Sequence, residues 1–209
     1  RSRAAAGEEM TPAEIAGLLA SSPFFKDLEL AVLTGGEPFL RSDLSEIAAR
    51  ILARYPRLRL GILTNGSNTA AVFAVLSELR RRGFISRVWL GSSLDGIGEV
   101  HDRVRARPGA FAALEQTLGQ ARAEFPEAAW SLNFTITPLN FRSLLEAYRY
   151  ARELGIEFSA QFAIPWPGAR RLEWSVDDRI ALDGIGREMI RELVAEGIRE
   201  KGEEALKAD

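Results

Sequence analysis

The chain of 209 residues contains no cysteine and a single histidine, His101. Disulfides, thiolate nucleophiles and cysteine-ligated zinc or iron–sulfur centres are therefore excluded within these residues. A multi-histidine metal site is excluded with them, so no catalytic residue and no metal ligand is assigned. Charge of one sign is scarce: 27 basic against 29 acidic side chains leave a formal charge of -2. Without a basic field, a general nucleic-acid binder is not expected. Long hydrophobic runs are missing too. No stretch reaches the length of a membrane span and no secretory h-region opens the chain, so no membrane partner and a cytoplasmic location are expected. Arg1 stands where a methionine would open a complete chain, and the expectation is a fragment. What is present, 46% hydrophobic and 27% charged residues, is ordinary for a globular protein and sufficient for one domain with an appendage.

Strand and helix patterns alternate along that domain. Thr11-Pro12-Ala13-Glu14 reads as a capping box with proline at the first helical position, and Ile15, Leu18 and Leu19 as the buried stripe of that helix. A buried strand is expected over 28–33, and then a helix capped by Ser42 carrying Leu44, Ile47, Ile51 and Leu52. Further strands are expected over 58–63, 88–90, 130–137 and 157–164, with helices over 69–82, 110–124 and 141–154, the last stopped by Gly155. This order implies a parallel sheet covered by helices through right-handed crossovers. Residues 1–168 form the core in this reading. Residues 169–209 form a helical extension, amphipathic over about 177–207 and broken near Gly184 or Gly197. It packs on the core or leads into a further domain.

The ends of the strands carry the functional signal. Gly35-Gly36-Glu37-Pro38 follows the first strand: glycines admit a ligand close to the backbone, the glutamate offers an acceptor, and proline ends the strand. A tight turn with a solvent-facing glutamate is the plain alternative. Thr64-Asn65-Gly66, Ser92-Ser93-Leu94-Asp95-Gly96 and Thr137 to Asn140 stand at equivalent places, where parallel α/β sheets bind ligands. In the fourth strand Leu132, Phe134 and Ile136 alternate with Ser131, Asn133 and Thr135, and in the fifth Phe158, Ala160 and Phe162 alternate with Ser159 and Gln161. Period two puts the polar set on its own face. That face is either a lumen holding a polar ligand or an exposed sheet surface.

On these stretches, with His101-Asp102 and Arg105, the chain resembles the radical S-adenosylmethionine superfamily over about residues 11–166. The spacing is most similar to the branch of anaerobic sulfatase-maturating enzymes and peptide maturases. The resemblance implies a partial (β/α)6 TIM-like barrel with its first βα unit truncated. It also implies S-adenosylmethionine and a [4Fe–4S] cluster as cofactors, a 5′-deoxyadenosyl radical as the hydrogen-abstracting species, a peptide or small-molecule substrate, and flavodoxin or ferredoxin as reductant. Gly35, Gly36 and Glu37 would hold the methionine ammonium, Ser93 and Arg105 the ribose and carboxylate side, Asn133 the adenine or ribose, and Trp166 would flank adenine. Asp95 is expected to fix the Gly96 turn, and His101 with Asp102 to cap and orient the segment after them. The family's Cys-x3-Cys-x2-Cys loop is absent, and truncation accounts for it together with the missing first strand, leaving the strand at 28–33 as an unpaired edge.

Two other readings compete. A cluster-less barrel could bind a peptide or nucleotide-like ligand without redox chemistry. A phosphate-ester enzyme could use the glycine-rich strand ends as phosphate nests, but no histidine–carboxylate pair and no basic residue adjoin Gly35-Gly36.

Overall fold

A computed structural model describes residues 9–164 and 173–207, with side chains as far as residue 197. Its elements run in the order α1 (Pro12–Ser21), β1 (Leu30–Leu33), α2 (Leu44–Arg54), β2 (Arg59–Thr64), α3 (Thr69–Arg81), β3 (Val88–Ser93), α4 (Glu99–Arg105), α5 (Ala110–Glu124), β4 (Ala129–Ile136), α6 (Leu144–Glu153), β5 (Glu157–Phe162) and α7 (Val176–Lys207). The sheet order is β1-β2-β3-β4-β5, with Val32 beside Gly61 and Gly61 beside Trp89 in the parallel register. This is the expected parallel α/β architecture, and five of its strands lie among the described residues. β1 lies at one edge of the sheet order. No helix among the described residues is long and apolar enough to cross a membrane.

The chain divides into two compact units, residues 1–92 with 112–131, and residues 93–111 with 132–209. In the first, Leu60 and Ile62 of β2 and Leu90 of β3 are fully buried, as are Val72, Leu76 and Leu79 of α3 and Leu114 of α5. With Val75, also buried, these positions recur at i, i+3, i+4 and i+7 on α3, and each such burial contributes roughly 1.5–3 kcal/mol. α2 buries Leu44, Ile47, Ile51 and Leu52. Its N-cap, however, is Asp43 rather than Ser42. Arg41 holds the Asp43 carboxylate through two hydrogen bonds of 2.9 and 2.8 Å, which draws it away from the helix amides and keeps its pKa below the ordinary carboxylate value.

Two expectations about burial fail in this unit. The Thr11–Glu14 capping box forms, with Pro12 at the helix start, but α1 has no buried residue and Leu18 is 53% exposed. Likewise, β1 is not buried, because Leu30 and Val32 are exposed on one face of an edge strand.

In the second unit, Leu132, Phe134 and Ile136 are buried while Asn133 and Thr135 are half-exposed, the expected alternation. Phe158 meets Phe134 and Tyr148 with ring centroids 6.3 and 5.9 Å apart. β5 does not alternate: Ala160 and Phe162 are exposed. The unforeseen helix α4 is only seven residues long, too short for periodicity to reveal. A 3-10 turn at Phe141–Ser143 precedes α6, and Gly155 takes φ +62° after it.

α7 is continuous through Gly184 and Gly197. A helical glycine costs about 1 kcal/mol relative to alanine, and packing against α6 offsets that. Arg149 pairs with Glu188 at 2.7 Å, Arg142 with Asp178 at 3.1 Å, and Arg152 with Glu196.

Candidate functional site

At the end of β1, Gly35 takes φ +142°, and a Cβ on Gly35 or Gly36 would meet nothing within 4 Å. Glu37 then caps the 3-10 turn Pro38–Leu40, its carboxylate accepting the Phe39 amide at 3.3 Å. Phe39 is buried and anchors the turn. The same carboxylate reaches the end of β2, where it accepts the Thr64 hydroxyl at 2.9 Å and the Asn65 amide at 2.7 Å. Thr64 Oγ1 in turn accepts the Gly66 amide at 3.1 Å, and the Ser92 hydroxyl donates to the Thr64 carbonyl at 2.8 Å. Thr117 donates to the Gly66 carbonyl at 2.6 Å. Gly66 needs its φ of +69° and its bare Cα, since a Cβ would lie 2.7 Å from Leu114 Cδ1.

Glu37 is thus a half-buried, tethered acceptor rather than a free surface carboxylate. Of its bonds, Oε1 accepts from Phe39 and Thr64, and Oε2 from Asn65. A carboxylate has about four acceptor positions, so Oε2 keeps capacity for a cationic donor. Thr64 and the Asn65 amide, which hold Glu37, read in sequence only as a turn composition. Their pairing across 27 residues carries no local signal.

The second unit has its own polar cluster. Asp95 is 3% exposed. Its carboxylate takes the Arg105 guanidinium at 2.6 Å and the Thr135 amide at 3.1 Å. Its amide donates to His101 Nδ1 at 3.1 Å, and its carbonyl accepts from Asn140 Nδ2 at 3.0 Å. Asn140 also donates to the Thr135 carbonyl and accepts from the Thr137 amide and hydroxyl. The Ile97 amide donates to Ser143 Oγ at 3.1 Å. Asp95 therefore does more than fix the Gly96 turn: it binds α4 to β4. Arg105 ends α4 and is committed on one side to Asp95.

His101 lies on α4, 2% exposed, with Phe111 edge-on at 6.1 Å. Desolvation by burial, and then the nearby Arg105 cation, depress its pKa below the ordinary value, outweighing Asp95 and Asp102. A neutral imidazole accepting at Nδ1 is the form that fits. Asp102 accepts the amides of Phe111 at 2.9 Å and Gly109 at 2.6 Å, which hold its carboxyl below the usual range. It closes the start of α5, the capping role expected of this pair.

Of the remaining sequence candidates, Asn133 is half-exposed and accepts the Ser159 hydroxyl at 2.7 Å. Its backbone carbonyl accepts from the Leu94 amide at 2.9 Å. Ser93 is half-exposed at the end of β3, whereas its neighbour Ser92 is buried. Trp166 lies outside the described residues.

Parallel strands ending in glycine, hydroxyl and acidic residues define an α/β protein of the class that binds ligands at its strand ends. The chain belongs to the radical SAM superfamily, whose family description matches residues 2–151. It is 34% identical over 145 residues to AdoMet-dependent heme synthase of Methanosarcina barkeri, covering 65% of this chain and 37% of the relative. It is 36% identical over 113 residues to Fe-coproporphyrin III synthase of the same organism, covering 54% and 26%. To pre-heme d1 synthase of Dinoroseobacter shibae it is 33% identical over 150 residues, covering 71% and 34%. The matched stretches thus span only 26–37% of these relatives' own length. These names place the resemblance among haem-synthesis enzymes and correct the expected sulfatase-maturating and peptide-maturase branch.

The family implies a [4Fe–4S] cluster, and the residues of this chain do not fit one. There is no cysteine, and the one histidine is buried with Nδ1 already accepting a backbone amide. Among the described residues, no group of three or more histidine or carboxylate side chains stands close enough to hold a metal.

Proposed function

We propose that this chain is the S-adenosylmethionine-binding body of a radical enzyme that acts on a haem-type tetrapyrrole, with cluster ligands supplied from outside these 209 residues. The observation that carries the reading is the Gly35-Gly36-Glu37 turn. Its two glycines face open space, and its carboxylate is held in place while keeping acceptor capacity. Gly35, Gly36 and Glu37 hold the methionine ammonium of the cofactor by a charge-assisted hydrogen bond. Arg105, oriented by Asp95, serves the carboxylate side. Ser93 and Asn133 serve ribose and adenine, and Trp166 is the candidate to flank adenine. S-adenosylmethionine, when bound and given one electron, would supply a 5′-deoxyadenosyl group for hydrogen abstraction, with methionine as the leaving group. This chain's part is to bind and orient the cofactor, and a flavodoxin or ferredoxin is the expected reductant.

The tetrapyrrole rests on the relatives' names and on one face of the first unit's sheet. Val32, Gly61 and Trp89 stand side by side in register. The Trp89 ring lies against Gly61, where a Cβ would come within 2.4 Å of it, and Val32 is 40% exposed. A flat apolar floor of this kind suits a macrocycle.

The test joins this chain to a cluster-binding cysteine segment and loads the cluster anaerobically. Formation of 5′-deoxyadenosine under reduction is then monitored with Fe-coproporphyrin III or with a serine- or cysteine-containing peptide. Stimulation by the tetrapyrrole supports the reading; stimulation by the peptide alone overturns the substrate class. A second reading, a binding barrel without redox chemistry, is favoured by the missing cysteines. It requires ligand binding with no 5′-deoxyadenosine under any of these conditions.

A further inference from the structure

α7 has two apolar faces, and its packing on α6 uses only one of them. Leu182, Ile185 and Met189 are half-buried, Glu188, Glu192 and Glu196 reach the arginines of α6, and Asp178 reaches Arg142 in the turn before it. On the opposite side Val176, Ile180, Ile190 and Val194 are 55–71% exposed. With Asp183 and Arg187 between them, these residues recur at alternating intervals of four and three. That is the seam spacing of a two-helix coiled coil. Exposed aliphatic side chains in such a series call for a partner helix.

The seam reads the same in both directions about position 185. Reversing α7 against a copy of itself sets Val176 opposite Val194, Ile180 opposite Ile190, and Asp183 opposite Arg187. Every apolar position then meets an apolar one, and each charge meets its opposite. Asp183 and Arg187 already pair within the helix at 2.8 Å and are mostly exposed, so two copies complete a ring of four alternating charges. One flank is charge-matched, Asp177 facing Arg191 of the second copy, while on the other edge Arg179 faces Leu193. Gly184 and Gly186, one on each edge near the midpoint, face their own counterparts, and a Cβ on either would meet nothing within 4 Å. Bare glycines beside the crossing let two helices approach closely.

From this self-complementarity we infer that α7 is an isologous dimer interface, pairing antiparallel with α7 of a second copy of this chain about a two-fold axis that crosses the seam at the level of position 185. A different partner would need an apolar stripe and one charged layer, but it would not require this reversal symmetry or the matched Asp177–Arg191 flank. The interface involves α7 alone and stands whatever ligand the strand ends bind.

Charge reversal and cysteine placement test it on the whole chain. The wild type should be a dimer by sedimentation equilibrium at micromolar concentration. Arg187→Asp places four carboxylates in the central ring and should raise the dimer dissociation constant by at least about tenfold. The double exchange Asp183→Arg with Arg187→Asp rebuilds the ring with its signs swapped and should restore it to within about threefold of wild type. Circular dichroism confirms that each variant keeps its helices. Because the chain has no cysteine, Ile180→Cys with Ile190→Cys should cross-link two chains on mild oxidation. Ile180→Cys alone should not, since the two copies of that position lie about 15 Å apart along the axis. A monomeric wild type, an undiminished Arg187→Asp dimer, or efficient cross-linking by Ile180→Cys alone would each overturn the interface.

Discussion

Replacing Glu37 by glutamine should destabilise the first unit even with no ligand present. Both carboxylate oxygens accept: Oε1 from the Phe39 amide and the Thr64 hydroxyl, Oε2 from the Asn65 amide. Glutamine keeps one acceptor oxygen and presents an NH2 in place of the other, so in either orientation at least one donor faces a donor. Hydrogen bonds to a charged group are worth roughly 1.5–3 kcal/mol when well buried. Glu37 is half-exposed, so the expected loss is reduced to about 1–2 kcal/mol. Glu37→Ala should cost more than Glu37→Gln, because all three contacts go. Urea unfolding, monitored by circular dichroism and tryptophan fluorescence, reads this as a drop in midpoint of about 0.5 M. A double-mutant cycle with Thr64→Val should return a coupling of about 0.5–1.5 kcal/mol, since the two side chains touch. Midpoints for Glu37→Gln and Glu37→Ala that both match wild type would refute the tether.

His101 should give the fold an acid-sensitive limb. Its pKa in the folded chain lies below the ordinary 6.5, with burial the leading cause and Arg105 the second, against Asp95 and Asp102. The unfolded state therefore takes up the proton first. Stability should be complete above about pH 6.5 and fall below it, by at most about 1.4 kcal/mol per pH unit for one proton. His101→Gln should flatten unfolding free energy between about pH 6.5 and 5, and an unchanged slope would remove His101 as the cause. Gly96→Ala should cost about 1–3 kcal/mol, because Gly96 has φ +143° and a Cβ there would lie 2.5 Å from Val100 Cγ1. A neutral effect in the same unfolding assay would contradict that geometry.

Most of the element order is legible in the sequence because the long helices and inner strands are strongly periodic; the expected and observed ranges of α5 coincide at 110–124. Burial is less legible where one side of an element has no neighbour. Leu18 and Val32 look like core residues in sequence and are exposed, since periodicity reports a face and not what covers it. The unbroken α7 shows tertiary contacts overriding the cost of glycine. Within the candidate site, the turn residues Gly35, Gly36 and Glu37 are visible from composition. Thr64 holding Glu37, and Asn140 supporting Asp95 from 45 residues away, are not. Side-chain bonds across such separations leave no local pattern. Arg105 looks free for a ligand in sequence because its partner Asp95 lies before α4, a helix too short to be read there.

The most direct test of the central claim is the affinity for S-adenosylmethionine, measured by calorimetry on this chain joined to a cluster-binding cysteine segment. Wild type, Glu37→Gln, Thr64→Val and Glu29→Gln are compared at equal iron content. Glu29 precedes β1 at its far end and makes an exposed pair with Arg57 at 3.2 Å, so it serves as the control. Loss of one charge-assisted bond to the ammonium predicts binding about ten- to a hundredfold weaker for Glu37→Gln. Thr64→Val, which loosens the carboxylate but leaves it in place, should weaken binding less, and Glu29→Gln should bind as wild type does. Equal affinities for Glu37→Gln and wild type would contradict the assignment of this strand end to the cofactor.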